Sequence, residues 1–504
     1  MSGVNPIIHA DFPDPDVVRV GDCYYMISTA MHMFPGAQIL RSYDLMHWEH
    51  CSYVYDILGE TARQRMEGDP AQGLSHIYGK GMWAASLKHD GKLFHVVFTS
   101  NDTGHSYHYT AEDAAGEWVR QPMEGAGGAP AFWYDPGLLF DDDGRVYVAH
   151  GNRTIRLTEL TDDLSARKDG GLDRVILQDS DDIMLGWEGS HLIKHDGWYY
   201  LFNIHWHKGG MRAMGCHRTR SLTTPFEGGE FMELDLDNRH AGVAQGGPVQ
   251  LHDGSWALVL FQDHGAVGRI PVVVPFHWVD GWPVVDEVPK QLSLPSSRPG
   301  YEYVPLYSSD ELRDGWSVLW QWNHEPHEDL IDCDEDGLCI TTDRLASCCT
   351  GAVNTLTQRC FGPRCTAEVT VDGSGLNIGD HAGVCALQGC FAQLGLTREA
   401  EGFRLVMLTG APGPGMRDAG PVQEIASIPA DGPVLRLRAT FDFDLDQVRF
   451  SVLTEDSWKT VGVPHQLLYR LDHFMGCRIG LFMHATLESG GSACFRDFAY
   501  RAGE

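Results

Sequence analysis

Five times along this chain a short turn opens into an aromatic, β-branched strand: VGDCYYMIST (20–29), HDGKLFHVVF (89–98), DDDGRVYVAH (141–150), HDGWYYLFNI (195–204) and HDGSWALVLF (252–261). Asp-Gly between alternating apolar runs is a hairpin signal, because the turn needs a positive φ that glycine adopts without steric cost. The turn glycines Gly91, Gly144, Gly197 and Gly254 follow one another at 53, 53 and 57 residues, and the first copy lies about 70 residues earlier. That period suits one four-stranded propeller blade. Further strand text such as TIRLTELTDDL (154–164) fills the intervals, and no long 3.6-residue periodicity interrupts it. The pattern predicts an all-β chain that begins with a five-bladed β-propeller over residues 1–290. The alternative is a sandwich or barrel with irregularly spaced hairpins.

In a propeller the strand before each of these turns is innermost, so residues a fixed distance before the turns converge on one axis. Counting back seven to nine residues selects Asp14, Trp83, Asp135, Glu188 and Gln245. Singly, each acid has a plain explanation as a turn former or a solvated strand end. Three acids brought to one channel mouth beside aromatic rings are different, since like charges held close are costly. Glycosidic bond hydrolysis needs such a pair: one protonated acid for the leaving oxygen, and one carboxylate to activate water or attack carbon.

The order of Pro13-Asp14-Pro15, then DPGLLFDDDG (135–144), then WEGSHL (187–192) resembles glycoside hydrolase family 43. These are five-bladed propeller enzymes acting on arabinose- and xylose-containing plant polysaccharides. The likeness continues through YGKGMWAAS, LFQDHGAVGRIPVVVPFHWVDGWPVV and, near the C-terminus, NTLTQRCFGP and HFMGCRIGLFMHAT. It implies an inverting mechanism with Asp14 as general base, Asp135 as pKa modulator and Glu188 as general acid. For inversion the base and acid carboxyls lie roughly 6.5–9.5 Å apart, with the water between them. The resemblance also implies that Trp83 stacks on the sugar, that Arg269 hydrogen-bonds its hydroxyls, that Gln245 contributes to binding, and that His32 and Phe34 belong to the pocket rim. Relatives often carry His-Gln in the fifth blade, the His facing a metal or water cluster on the axis. This chain has Ala244-Gln245, so His264 is the candidate ligand for an axial calcium or sodium ion. The chemistry itself requires no cofactor.

QLSLPSSRPGYEYVPL (291–306), rich in Pro and Ser, reads as a linker. Short alternating strands over 307–504 predict a β-sandwich, and the resemblance makes it a concanavalin-like jelly roll that binds carbohydrate or packs on the propeller and shapes one side of the pocket. Asp332 to Asp343 nearly match an EF-hand loop but lack flanking helices and a final Glu, so the segment reads as a hairpin. The C-x4-C pairs Cys360/Cys365 and Cys385/Cys390 lack the usual zinc knuckle spacing. With no signal peptide in view, all 13 cysteines read as reduced thiols and the chain as cytoplasmic. His205 and His207 share one face of a strand, where wall or surface positions compete with a metal site.

Sixty-nine acidic against 38 basic residues give a formal charge of −31, which excludes nucleic acid as a partner, and no stretch is long and apolar enough to span a membrane. The expected partners are pentose-containing oligosaccharides. The expected activity is exo-release of terminal α-L-arabinofuranosyl residues, with β-D-xylosidase or dual activity as the close alternative. An endo-arabinanase and a non-catalytic carbohydrate-binding protein are the more distant ones.

Overall fold

The computed structural model describes residues 2–68, 76–125, 129–180, 183–412 and 419–503. Five four-stranded antiparallel sheets form the blades of a propeller. Their innermost strands are Asp16–Val20, Met82–His89, Gly137–Phe140, Leu185–His195 and Ala244–Gln250. The five repeated turns each join an innermost strand to the next, and Gly21, Gly91, Gly144, Gly197 and Gly254 all have positive φ. The ring is fastened where Ser2–Val4 pairs with Gln291–Ser293 beyond the fifth blade.

The segment expected to be a linker is a strap. Tyr301 donates its hydroxyl to Glu49 (2.6 Å), Tyr303 accepts the Tyr43 amide (2.8 Å), and Leu292 and Leu294 are buried. Tyrosines spaced two apart here cement the chain onto blade one, which Pro/Ser composition alone does not announce.

Beyond it, a seven-stranded and an eight-stranded sheet face each other as a β-sandwich. The edge strand of the larger sheet comes from the propeller: Met33–Phe34 pairs with Gln321–Asn323. One apolar core runs from Ile8, Phe12 and Ile270 of the propeller into Trp320, Leu356 and Phe441 of the sandwich. Burial of this size fixes the two units against each other.

Residues 331–341 form the expected hairpin, turning at Asp334 and Gly337. The cysteine expectation needs one correction. Cys339 and Cys494 stand directly opposite on neighbouring strands and form a disulfide. They are 155 residues apart in sequence, so spacing could not reveal the pair. The other 11 cysteines are free thiols. No helix among the described residues is long and apolar enough to cross a membrane.

Candidate active site

All five converging positions stand at the same end of the innermost strands, and their backbones are irregular. Asp14, Asp135 and Gln245 have φ of 53°, 47° and 52°, and Gly189 beside Glu188 has 61°. Left-handed backbone at non-glycine residues costs on the order of 1–3 kcal/mol each. The ladder register also slips between Met82 and Ala85, on both sides of Glu188, and between Ala244 and Gly247. Bulges re-aim side chains, and here they break the pleat where a side chain must turn towards the axis. Gly189 has a further reason to lack a side chain: a Cβ would lie 2.8 Å from Gln245 Cγ.

The three acids are held differently. Asp14 receives two hydrogen bonds from Arg269 Nη1 (2.9 and 3.1 Å) and one from the Thr29 hydroxyl (2.7 Å). Asp135 accepts the Gly189 amide (3.1 Å), which ties blade three to blade four beside Glu188. Burial, then the charges of Glu188 and Asp14, push the Asp135 carboxyl well above the usual range. Glu188 receives Asn152 Nδ2 and the Tyr134 hydroxyl on one oxygen. Burial, opposed by the Asn152 hydrogen bond and aided by the charge of Asp14, pushes it up to about 7. A buried carboxyl that stays protonated near neutrality is suited to donate a proton.

The walls come from both units. Trp83 meets Tyr134 edge-on (ring centroids 5.6 Å) and Phe474 of the sandwich at 6.1 Å. Phe474 also lies on the Arg269 guanidinium at 4.5 Å. Asp11 secures this junction: its carboxylate accepts the Arg269 amide (2.7 Å) and the Gly476 amide (2.9 Å). Arg269 Nε and Nη2, Trp83 Nε1 and the Tyr469 hydroxyl are buried with no hydrogen-bond partner among the described residues. Unpaired buried donors grouped around two carboxylates match a ligand rich in hydroxyls.

Three expectations require correction. His32 is fully buried in the junction with the sandwich, against Tyr78, His324 and His473, and not on the rim. Phe34 is interior too, packed on Tyr55 in the shared edge strand, because the sandwich sheet recruits that loop. His264 bonds Gln262 Oε1 (3.0 Å) and lines a cavity with His9, Arg239 and Asp444 between the two units, off the axis.

The axial histidine is His191. Its Nδ1 lies 3.1 Å from Asp16 Oδ1 of blade one, and Gly247 of blade five leaves it space. Lys88 of blade two bonds both Asp16 oxygens (3.1 and 2.8 Å), and the Leu87 amide donates to one of them (2.7 Å). Burial would raise the Asp16 pKa, but Lys88 and His191 hold it well below the usual range. Both oxygens already face donors, one of them a cation, so this set does not fit a calcium or sodium ion. Thr29, Tyr134, Asn152, Phe474 and Asp11 complete the site and were not singled out from sequence. Phe474 lies in the HFMGCRIGLFMHAT stretch, and Thr29 closes the first repeated segment, VGDCYYMIST.

The sequence profile of the family described as "Glycosyl hydrolases family 43" matches residues 4–283. The chain belongs to that family. A second profile, "Beta xylosidase C-terminal Concanavalin A-like domain", matches residues 313–501. A Humicola insolens protein named Xylosidase/arabinosidase 43B is 29% identical over 474 residues, covering 85% of this chain and 83% of its own. A Butyrivibrio fibrisolvens Xylosidase/arabinosidase is 28% identical over 324 residues, covering 58% of this chain and 59% of its own. Among solved structures, the bifunctional GH43-CE protein of Bacteroides eggerthii superposes with a TM-score of 0.89 at 37% identity, covering 100% of this chain and 64% of that one. The chain is thus a family 43 glycoside hydrolase, whose catalysis needs no cofactor.

Proposed function

We propose that the chain is an inverting, exo-acting hydrolase that releases terminal α-L-arabinofuranosyl residues from arabinoxylan-type oligosaccharides, with terminal β-D-xylosyl groups as the competing substrate. The observation that carries this reading is the pairing of a buried Glu188, pushed up to about 7, with an Asp14 fixed by Arg269 and Thr29. Glu188 protonates the departing glycosidic oxygen. Asp14 takes the proton from a water that attacks the anomeric carbon from the opposite face. Asp135, bonded to the amide after Glu188, orients the acid and shares its low-dielectric surroundings, which favours keeping a proton on the pair. Arg269 has two further donors for sugar hydroxyls, and Trp83 and Phe474 offer ring faces to the sugar CH surfaces.

Exo action is supported by Phe474, which the sandwich inserts against Trp83 and so closes a side that an endo-acting groove would leave open. The xylosidase reading keeps its own support in the second domain profile and in relatives named for both activities. The test is hydrolysis of p-nitrophenyl α-L-arabinofuranoside and β-D-xyloside by wild type, with the product anomer followed by proton NMR, and of arabinoxylan-type oligosaccharides, whose leaving sugar needs a proton, by wild type and Glu188→Gln. Release of the inverted sugar by wild type, lost in the variant, supports the assignment, and the rate ratio names the preferred sugar. Retention of configuration, or unchanged turnover in the variant, overturns it.

A further inference from the structure

Among the described residues, only one group of three or more His, Cys, Asp or Glu side chains brings its ligand atoms together: His205, His207 and Glu230, all within 4.8 Å of one another. It lies on the outer part of blade four. His205 and His207 project from one face of the strand Trp198–Trp206 and its continuation, and Glu230 projects from the outermost strand, Glu227–Met232. The strand between them places Ala213 opposite His205, and Gly215 opposite Glu230. Those small residues let the Glu230 carboxylate reach His205 Nδ1 across the intervening strand, while His207 Nε2 approaches the same Glu230 oxygen at 3.0 Å.

The second imidazole nitrogen of His205 is also engaged: Nε2 lies 3.1 Å from Asp179 Oδ1. A neutral imidazole has one N–H, so a carboxylate at each nitrogen leaves one lone pair facing an oxygen anion. A metal ion between Nδ1 and Glu230 removes that conflict. Nε2–H then donates to Asp179, the carboxylate–histidine–metal relay that fixes tautomer and ring orientation in metal sites. Asp179 is itself held, by the Trp187 amide at 2.6 Å. Burial grades outwards as an entry path would, with side-chain exposures of 4% for His205, 25% for Glu230 and 58% for His207.

We propose that His205 Nδ1, His207 Nε2 and Glu230 Oε1 form a three-ligand site for a zinc-class divalent cation at the rim of blade four, with water in the fourth position. Two imidazoles and a carboxylate are a zinc donor set, with bonds of about 2.0–2.2 Å. Trp187 stacks on His205 with ring centroids 4.0 Å apart and directly precedes Glu188, so the ion would also steady the strand that bears the acid.

The test uses the whole chain, stripped with chelator and titrated near pH 7 with Co²⁺, followed by visible absorption, and with Zn²⁺, followed by calorimetry. The expected result is one saturable equivalent with tetrahedral cobalt bands. His207→Ala and Glu230→Gln lose it, and Asp179→Asn weakens it about 10- to 100-fold. His207 is largely exposed, so His207→Ala decides the matter even if a buried variant fails to fold. No saturable equivalent in wild type, or equal affinity in His207→Ala, overturns the proposal.

Discussion

Asp14 and Asp16 are two residues apart, both buried, both on blade one, and held in opposite ways. Asp16 faces down the channel, where Lys88 and His191 neutralise it and hold it ionised. Asp14 faces the pocket, where Arg269 is its close cation and also acts on Asp135 while Arg212 acts on Glu188, and yet both neighbouring acids, Asp135 and Glu188, are pushed up instead of down. Burying a carboxylate is tolerable when a partner cancels it. Where partners are too few, the acids keep protons, and that shortage is what acid catalysis uses.

The sharpest way to break the comparison is to remove one acid from each cluster. Glu188→Gln and Asp14→Asn should each lower kcat by about 10²–10⁴-fold on substrates with poor leaving groups. Glu188→Gln should recover most of its rate on a 2,4-dinitrophenyl glycoside, which needs no protonation. Asp14→Asn should not. Asp16→Asn should behave differently, costing about 3–5 kcal/mol of stability by stranding the Lys88 ammonium, while turnover per folded molecule falls far less than for Asp14→Asn. Chemical denaturation and active-site titration separate the two; equal catalytic loss at both positions would erase the distinction.

Stability against pH gives the clusters opposite signs. The folded pKa of Glu188 is raised from an ordinary 4.5 to about 7, so its contribution is complete below about 4.5 and is lost as pH rises through 7. Glu188→Gln should therefore melt above wild type at pH 8, with the gap closing in acid. Asp16 is depressed, so its contribution holds above its ordinary 3.8 and is lost as pH falls below it. A Glu188→Gln protein melting below wild type at pH 8 would show that the acid is not destabilised by burial.

The pocket floor was legible in the sequence because a propeller makes turn spacing a coordinate. Counting back from five turns reached Asp14, Trp83, Asp135, Glu188 and Gln245 without tertiary information. What that count could not reach depends on packing across the chain. Phe474 arrives from the other domain, Asn152 from the far end of a neighbouring hairpin, and Cys494 from the last strand to meet Cys339. His264 was misplaced because it stands just past the end of its strand, at the start of a short 3-10 turn, where strand alternation no longer sets the direction of the ring. His191 lies only three residues after Glu188, a spacing that strict alternation would put on the opposite face, and the bulge between them shifts that parity.

A smaller effect tests the contribution of the sandwich. Phe474→Ala removes ring contacts to Trp83 and Arg269, and such contacts are worth about 0.5–1.5 kcal/mol beyond burial, or roughly 2- to 13-fold in kcat/KM. The loss should fall mainly on KM, since the ring touches the walls and not the acids. A loss confined to kcat would mean that Phe474 acts by holding Arg269 on Asp14.

The least perturbing test is Asn152→Ala. The Asn152 amide donates to the Glu188 oxygen, which favours the ionised acid and opposes the rise that burial imposes. Removing it should move the alkaline limb of the kcat/KM profile upward from about 7, because the acid keeps its proton to higher pH. Maximum activity should change little if Tyr134 continues to orient the carboxyl through its own hydrogen bond. A downward shift would mean that the amide carbonyl faces Glu188 as an acceptor and stabilises the protonated acid. That reversal would place the proton on the oxygen facing Asn152 and assign delivery to the leaving group to the other carboxyl oxygen.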